Sequence, residues 1–261
     1  MYIHRRSAVA AVVLACVALG LIGCAADSAS PAPQSSSASA EPSTSSPPCP
    51  NPDGLNCIGA LTADEEYTTA TFTPTLTYSV PGAGWMNLED TPGNFLLVPP
   101  NQPLEAVNAG TSDFIGVYTS VVAGQLNSNG TCEVERVPGV ETTPDAMVQW
   151  MRAQPELDVS EPVATSVGGF AGLRVDVRTA DGATLPSCTD AESGQKVTVF
   201  LLIVGAGPSS LAHGAVPGIT VRLYLLDYGG GVLAVEVADV DAAPATLDEM
   251  SRVVDDFTFS P

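Results

Sequence analysis

Ile219-Thr220-Val221-Arg222-Leu223-Tyr224-Leu225-Leu226-Asp227-Tyr228, then Gly229-Gly230-Gly231, then Val232-Leu233-Ala234-Val235-Glu236-Val237: this stretch decides the fold. Two runs rich in β-branched and aliphatic residues flank consecutive glycines. Glycine supplies the positive φ that a tight hairpin turn requires, so the stretch reads as a β-hairpin. Upstream, Leu173, Val175 and Val177 alternate with Arg174, Asp176 and Arg178 after Gly168-Gly169, the pattern of a half-exposed strand. Residues 197–204 are nearly all apolar, which fits a strand covered on both faces. Residues 67–80, 95–98 and 114–122 read as further strands.

Two segments change period. Thr143-Pro144-Asp145 offers an N-cap, a proline at the first helical position and an acid in the first turn. Met147, Trp150 and Met151 follow at helical spacing, and Pro155 stops the helix. A second helix is expected from Thr246, which with Glu249 has capping-box spacing, and Met250, Val253 and Val254 form its apolar stripe. Phe257 and Phe259 then alternate as a closing strand. This order predicts an α+β fold, an antiparallel sheet with two main helices packed on it.

The chain opens with a different layout. Arg5 and Arg6 precede an apolar run of 15 residues, 8–22, that ends in Leu21-Ile22-Gly23-Cys24. A stable bilayer span needs about 20 such residues, so the run reads as a cleaved export signal. A small residue followed by cysteine at its end resembles the lipobox of bacterial lipoproteins. That resemblance implies cleavage after Gly23 and acylation of Cys24. Residues 25–48 are almost entirely Ser, Pro and Ala, too poor in apolar side chains to offset the entropy of ordering. They are expected to form a disordered tether reaching roughly 27 Å. The organisation expected is therefore a leader at 1–23, a lipidated tether at 24–48 and a single globular domain at 49–261.

Without Arg5 and Arg6 the mature chain keeps seven cations against 29 acids, a net charge near −22. Such a surface repels phosphate backbones and anionic headgroups, which argues against nucleic acid and against direct docking on lipid. The expected membrane contact is the anchor on Cys24 alone, at the outer face of the cell membrane. The preference for Arg over Lys, with abundant Ala, Val and Gly, resembles high-GC actinobacterial proteins.

Once Cys16 is lost and Cys24 acylated, Cys49, Cys57, Cys132 and Cys188 remain. Four cysteines in an oxidising compartment point to two disulfides with three possible pairings. Asn51-Pro52-Asp53-Gly54 suits a type I turn that brings Cys49 to Cys57, which leaves Cys132 for Cys188. Neither close Cys spacing nor histidine partners suggest a metal.

Catalytic chemistry finds little footing. His213 is the single histidine of the mature chain, in a Gly/Pro/Ser context near Ser209 and Ser210; no G-x-S-x-G surrounds either serine, and an exposed loop histidine is expected. Gly205-Ala206-Gly207 lacks the third glycine of a dinucleotide turn, so no cofactor is implied, and residues 205–218 read as a connector able to rim a pocket. The acid pairs Glu89/Asp90, Glu133/Glu135, Asp239/Asp241 and Asp255/Asp256 read as solvated surface. Trp85 sits among glycines and reads either as a core lid or as a contact for a ligand or partner.

Four features carry a family resemblance: Val80-Pro81-Gly82-Ala83-Gly84-Trp85 after a first strand, the 167–172 segment around Gly168-Gly169, the last hairpin, and a terminal helix ending in Asp256-Phe257-Thr258-Phe259. Together they resemble the small-lipoprotein group that includes the mycobacterial LpqN and LpqT proteins, similar in fold to the Mog1/PsbP sandwich. The resemblance implies an envelope protein without established catalysis. The leading expectation is thus a non-catalytic binding or accessory lipoprotein with an unknown envelope partner. The alternatives are a carrier of a small apolar molecule near Trp85 and the 205–218 loop, and an envelope hydrolase using paired carboxylates.

Overall fold

The computed structural model describes residues 50–51, 60–109, 111–191, 194–206, 211–240 and 244–260. The expected leader, Cys24, the tether, Cys49, Cys57, Ser209, Ser210 and Asp241 lie outside them. Along the described residues run β1 (Tyr67–Thr68), β2 (Thr75–Tyr78), β3 (Met86–Thr91), β4 (Asn94–Val98), α1 (Leu104–Ala109), β5 (Phe114–Tyr118), β6 (Val121–Leu126) and β7 (Val134–Arg136). Then come α2 (Pro144–Arg152), β8 (Leu157–Val159), β9 (Val163–Val167), β10 (Phe170–Thr179), β11 (Ser187–Thr189), β12 (Lys196–Thr198) and β13 (Phe200–Gly205). The last are β14 (Ala212–Ala215), β15 (Thr220–Tyr228), β16 (Gly231–Asp239), α3 (Pro244–Asp255) and β17 (Thr258–Ser260).

The hairpin β15–β16 is the centre. It pairs from Thr220↔Asp239 to Tyr228↔Gly231, and Gly229 and Gly230 turn it with φ of 59° and 79°, values that favour glycine. Around it lies an eight-stranded antiparallel sheet, β3-β4-β5-β16-β15-β10, with β8 and β9 following one another along the outer edge of β10. A four-stranded sheet β14-β13-β6-β7, a three-stranded sheet β1-β2-β17 and the pair β11-β12 complete the described strands.

β16 is buried on both faces. Leu233, Val235 and Val237 belong to one apolar cluster with Tyr78, Phe95, Phe257 and the α3 side chains Leu247, Met250, Val253 and Val254. Val232 and Ala234 belong to another, with Met147, Val148 and Met151 of α2 and Leu202 and Ile203 of β13. α2 starts where the sequence predicts: the Thr143 side chain accepts from the Ala146 N–H at 3.2 Å, and Pro144 opens the helix.

The expectation of one antiparallel sheet carrying two main helices is corrected. The described residues are mostly strand, in four antiparallel sheets, with helices of 6, 9 and 12 residues. The reason is that two apolar runs each serve two sheets. The 114–122 run breaks at Thr119-Ser120, where Ser120 takes φ 55°, so β5 lies in the central sheet and β6 in the four-stranded one. The 197–204 run divides likewise between β12 and β13. The closing strand also differs from expectation: β17 pairs with β2 outside the central sheet.

Candidate functional site

Among the described residues, three groupings of polar side chains bear most on function. The first is enclosed between the central and four-stranded sheets. Gly116 of β5 stands opposite Glu236 of β16, and a Cβ at position 116 would lie 1.9 Å from the Tyr118 hydroxyl. The glycine therefore leaves room for the Tyr118 phenol to fold back beside Glu236. His213 of β14 closes the group from the other sheet. Its Nδ1 is 2.6 Å from a Glu236 carboxylate oxygen and 3.3 Å from the Tyr118 hydroxyl, and its ring packs 4.3 Å from that of Tyr118 and 5.9 Å from that of Phe114. The His213 and Glu236 side chains are only 1% and 3% exposed. In this conformation the dyad meets no solvent-borne substrate; it ties the edge strand β14 to the centre of the fold.

The second place is a surface cleft of 310 Å³ lined by Arg178, Asp181, Leu185, Pro217 and Ile219 among others. Arg178 is not free to a ligand, since Asp158 and Asp181 both pair with it. The third joins α3 to the sheet. Arg222 forks onto Asp176 at 2.7 and 3.0 Å and reaches Asp248 at 2.8 Å and Ser251 at 3.0 Å. The Arg222 guanidinium holds the Asp248 carboxyl below its ordinary value, while Asp176 chiefly raises Arg222. Nearby, burial raises the Tyr224 phenol; burial likewise raises Tyr78, with Asp90 adding to it.

Trp85 and His213, the two candidate contacts for a ligand or partner, are both covered. Trp85 is 4% exposed within the α3-side cluster. His213, expected on an exposed loop, is instead a buried strand residue; of the 205–218 connector, residues 212–215 form β14, and Pro217 and Gly218 do rim the cleft. The expectation that the acid pairs are solvated fails at two positions. Asp90 is buried and accepts from the Ala70, Thr71 and Phe72 N–H groups at 2.6, 3.1 and 2.8 Å, holding the 70–72 loop. Asp239 is also buried. Cys132 and Cys188 form a disulfide, as the pairing by turn suggested. It holds the loop between β6 and β7 to β11, where Thr131 bridges Thr189. Among the described residues no three His, Cys, Asp or Glu side chains converge to hold a metal, and no helix is long and apolar enough to cross a membrane. Glu236 and Tyr118 were not singled out from the sequence. The available signal was Glu236 itself, an acid in the interior of an otherwise apolar run.

No family model matches the chain, and no curated protein does. Solved structures do match. One is the cyanobacterial PsbP (CyanoP) of Synechocystis, at 10% identity and a TM-score of 0.37 over 78% of this chain and 95% of that one. Another is LpqN of Mycobacterium tuberculosis, described as involved in cell envelope biogenesis, at 14% identity and a TM-score of 0.32 over 76% of this chain and 91% of that one. The chain thus bears a weak LpqN-like, PsbP-type resemblance. No residue role is carried across at this level of likeness.

Proposed function

We propose that this chain is an extracytoplasmic lipoprotein held on the cell membrane through Cys24, with a non-catalytic binding or accessory role in the envelope. The observation that carries the reading is Leu21-Ile22-Gly23-Cys24 at the end of an apolar run preceded by Arg5 and Arg6. Two or more acyl chains hold a protein on a bilayer where one barely does, so the domain requires no apolar membrane patch of its own. Its strong negative charge favours standing clear of anionic headgroups. The non-catalytic part is supported by the mature chain's one histidine being enclosed with Glu236, out of reach of a substrate.

A Cys24→Ser variant expressed in its own host tests the reading. It is expected to leave the membrane fraction while the domain unfolds at an unchanged temperature. Retention of that variant on the membrane overturns the anchor, and affinity capture of the wild-type protein then reads its partners.

A further inference from the structure

The loop between β6 and β7 reads Asn127-Ser128-Asn129-Gly130-Thr131-Cys132-Glu133 and holds the one Asn-Gly pair of the chain. A glycine after asparagine leaves its backbone nitrogen open to approach, because no side chain shields it. Asn129 and Gly130 are both exposed, and a Cβ on Gly130 would have nothing within 4 Å. Among the described residues the Gly130 N–H makes no hydrogen bond, while its carbonyl accepts from the Thr189 N–H at 2.9 Å.

The Asn129 carboxamide, by contrast, is held in place. Its Oδ1 accepts from the Thr131 N–H at 2.9 Å and from the Thr131 hydroxyl at 2.5 Å, an Asx-turn that folds the side chain back over the Gly130 peptide group. Its Nδ2 donates to a Glu133 carboxylate oxygen at 3.0 Å. The two donors on Oδ1 draw electrons from the amide carbon, and they face the oxygen on which charge develops when a nucleophile adds there. Within the same turn, that nucleophile is the Gly130 nitrogen. The neighbouring Asn127 is followed by serine, and Asn87 is buried.

We propose that Asn129-Gly130 is a self-modifying site. The Gly130 nitrogen, its proton taken by solvent base, bonds to Asn129 Cγ; the Cγ–Nδ2 bond breaks, and Nδ2 leaves with a proton from water as ammonia. The product is a succinimide ring. Water then adds to either ring carbonyl and opens it to aspartate or isoaspartate, so no oxidant or cofactor takes part. Either product puts a carboxylate where the amide stood, and a donor to Glu133 becomes a second negative charge beside it. Isoaspartate also lengthens the main chain by one carbon. Both changes loosen the loop next to its fastenings on β11, the Thr131 bridge to Thr189 and the Cys132–Cys188 disulfide. This modification goes beyond the accessory reading and does not depend on the anchor at Cys24.

The test warms the full-length protein in mildly alkaline buffer and follows each asparagine by peptide mass mapping. Position 129 is expected to convert first, with the mass gain of an amide-to-acid exchange and with isoaspartate among the products. It is expected to convert no more slowly in the folded protein than in denaturant. Thr131→Val removes the hydroxyl donor on Oδ1 and is expected to slow the folded-state conversion about fivefold, the worth of one exposed hydrogen bond. Asn129→Asp reproduces the added charge; it is expected to speed amide hydrogen exchange across residues 127–133, and Glu133→Gln in the same chain is expected to reverse that. The proposal is overturned by an intact Asn129 beside a converted Asn127, by faster conversion in denaturant, by a wild-type rate in Thr131→Val, or by unchanged exchange in Asn129→Asp.

Discussion

Glu236 carries its carboxylate into the space between two sheets, and His213 and Tyr118 are what it meets there. Removing one member of a buried pair strands the other, which costs about 3–5 kcal/mol, whereas replacing both by apolar residues of similar size is often neutral. Accordingly, His213→Ala and Glu236→Ala are each expected to lose about that much in denaturant unfolding. The double replacement His213→Leu with Glu236→Leu is expected to recover most of it; equal losses in all three variants contradict the interlock. For the same reason, a loss of function in His213→Ala is not by itself a sign of catalysis. Two phenols give a second residue-scale outcome. Tyr78 and Tyr224 are raised by burial, so the folded state keeps protons that the unfolded chain gives up above the ordinary tyrosine value of about 10. Their contribution to stability is whole below that pH and is lost as pH rises beyond it. In an alkaline titration followed by phenolate absorbance, both are expected to ionise only as the fold is lost; smooth ionisation of every tyrosine in the native state contradicts their burial.

At the scale of elements, the disulfide between Cys132 and Cys188 fastens the loop after β6 to β11 across 56 positions of sequence. Replacing both cysteines by serine is expected to cost about 2–4 kcal/mol, read as a lower unfolding midpoint that reductant no longer changes. The same scale shows what the sequence made legible. The β15–β16 hairpin, the α2 cap at Thr143 and the apolar stripe of α3 are local signals, each written in residues that touch one another along the chain, and each is found. α3 begins at Pro244, two residues ahead of the capping-box threonine. The splitting of the 114–122 and 197–204 runs was not legible, because hydrophobicity records burial and not which sheet does the burying. β14 was missed for a related reason. Its Ala212-His213-Gly214-Ala215 has the small residues of a loop, yet Gly214 is there because β13 presses close: a Cβ on it would lie 2.4 Å from the Phe200 carbonyl oxygen. Trp85 left two readings open in sequence, and the structure places it inside the α3-side cluster.

At the scale of the whole molecule, the β-rich body is one half of the proposal and the anchor at Cys24, legible in sequence alone, is the other. The body supplies a filled apolar centre and an enclosed His–Glu pair. The proposed anchor would supply an address, and the accessory reading depends on it. Intact mass spectrometry of the protein isolated from its own cells tests that dependence directly. The account predicts a polypeptide that begins at Cys24 and carries added acyl mass on that residue. A chain still bearing residues 1–23, or one with an unmodified Cys24 thiol, contradicts it.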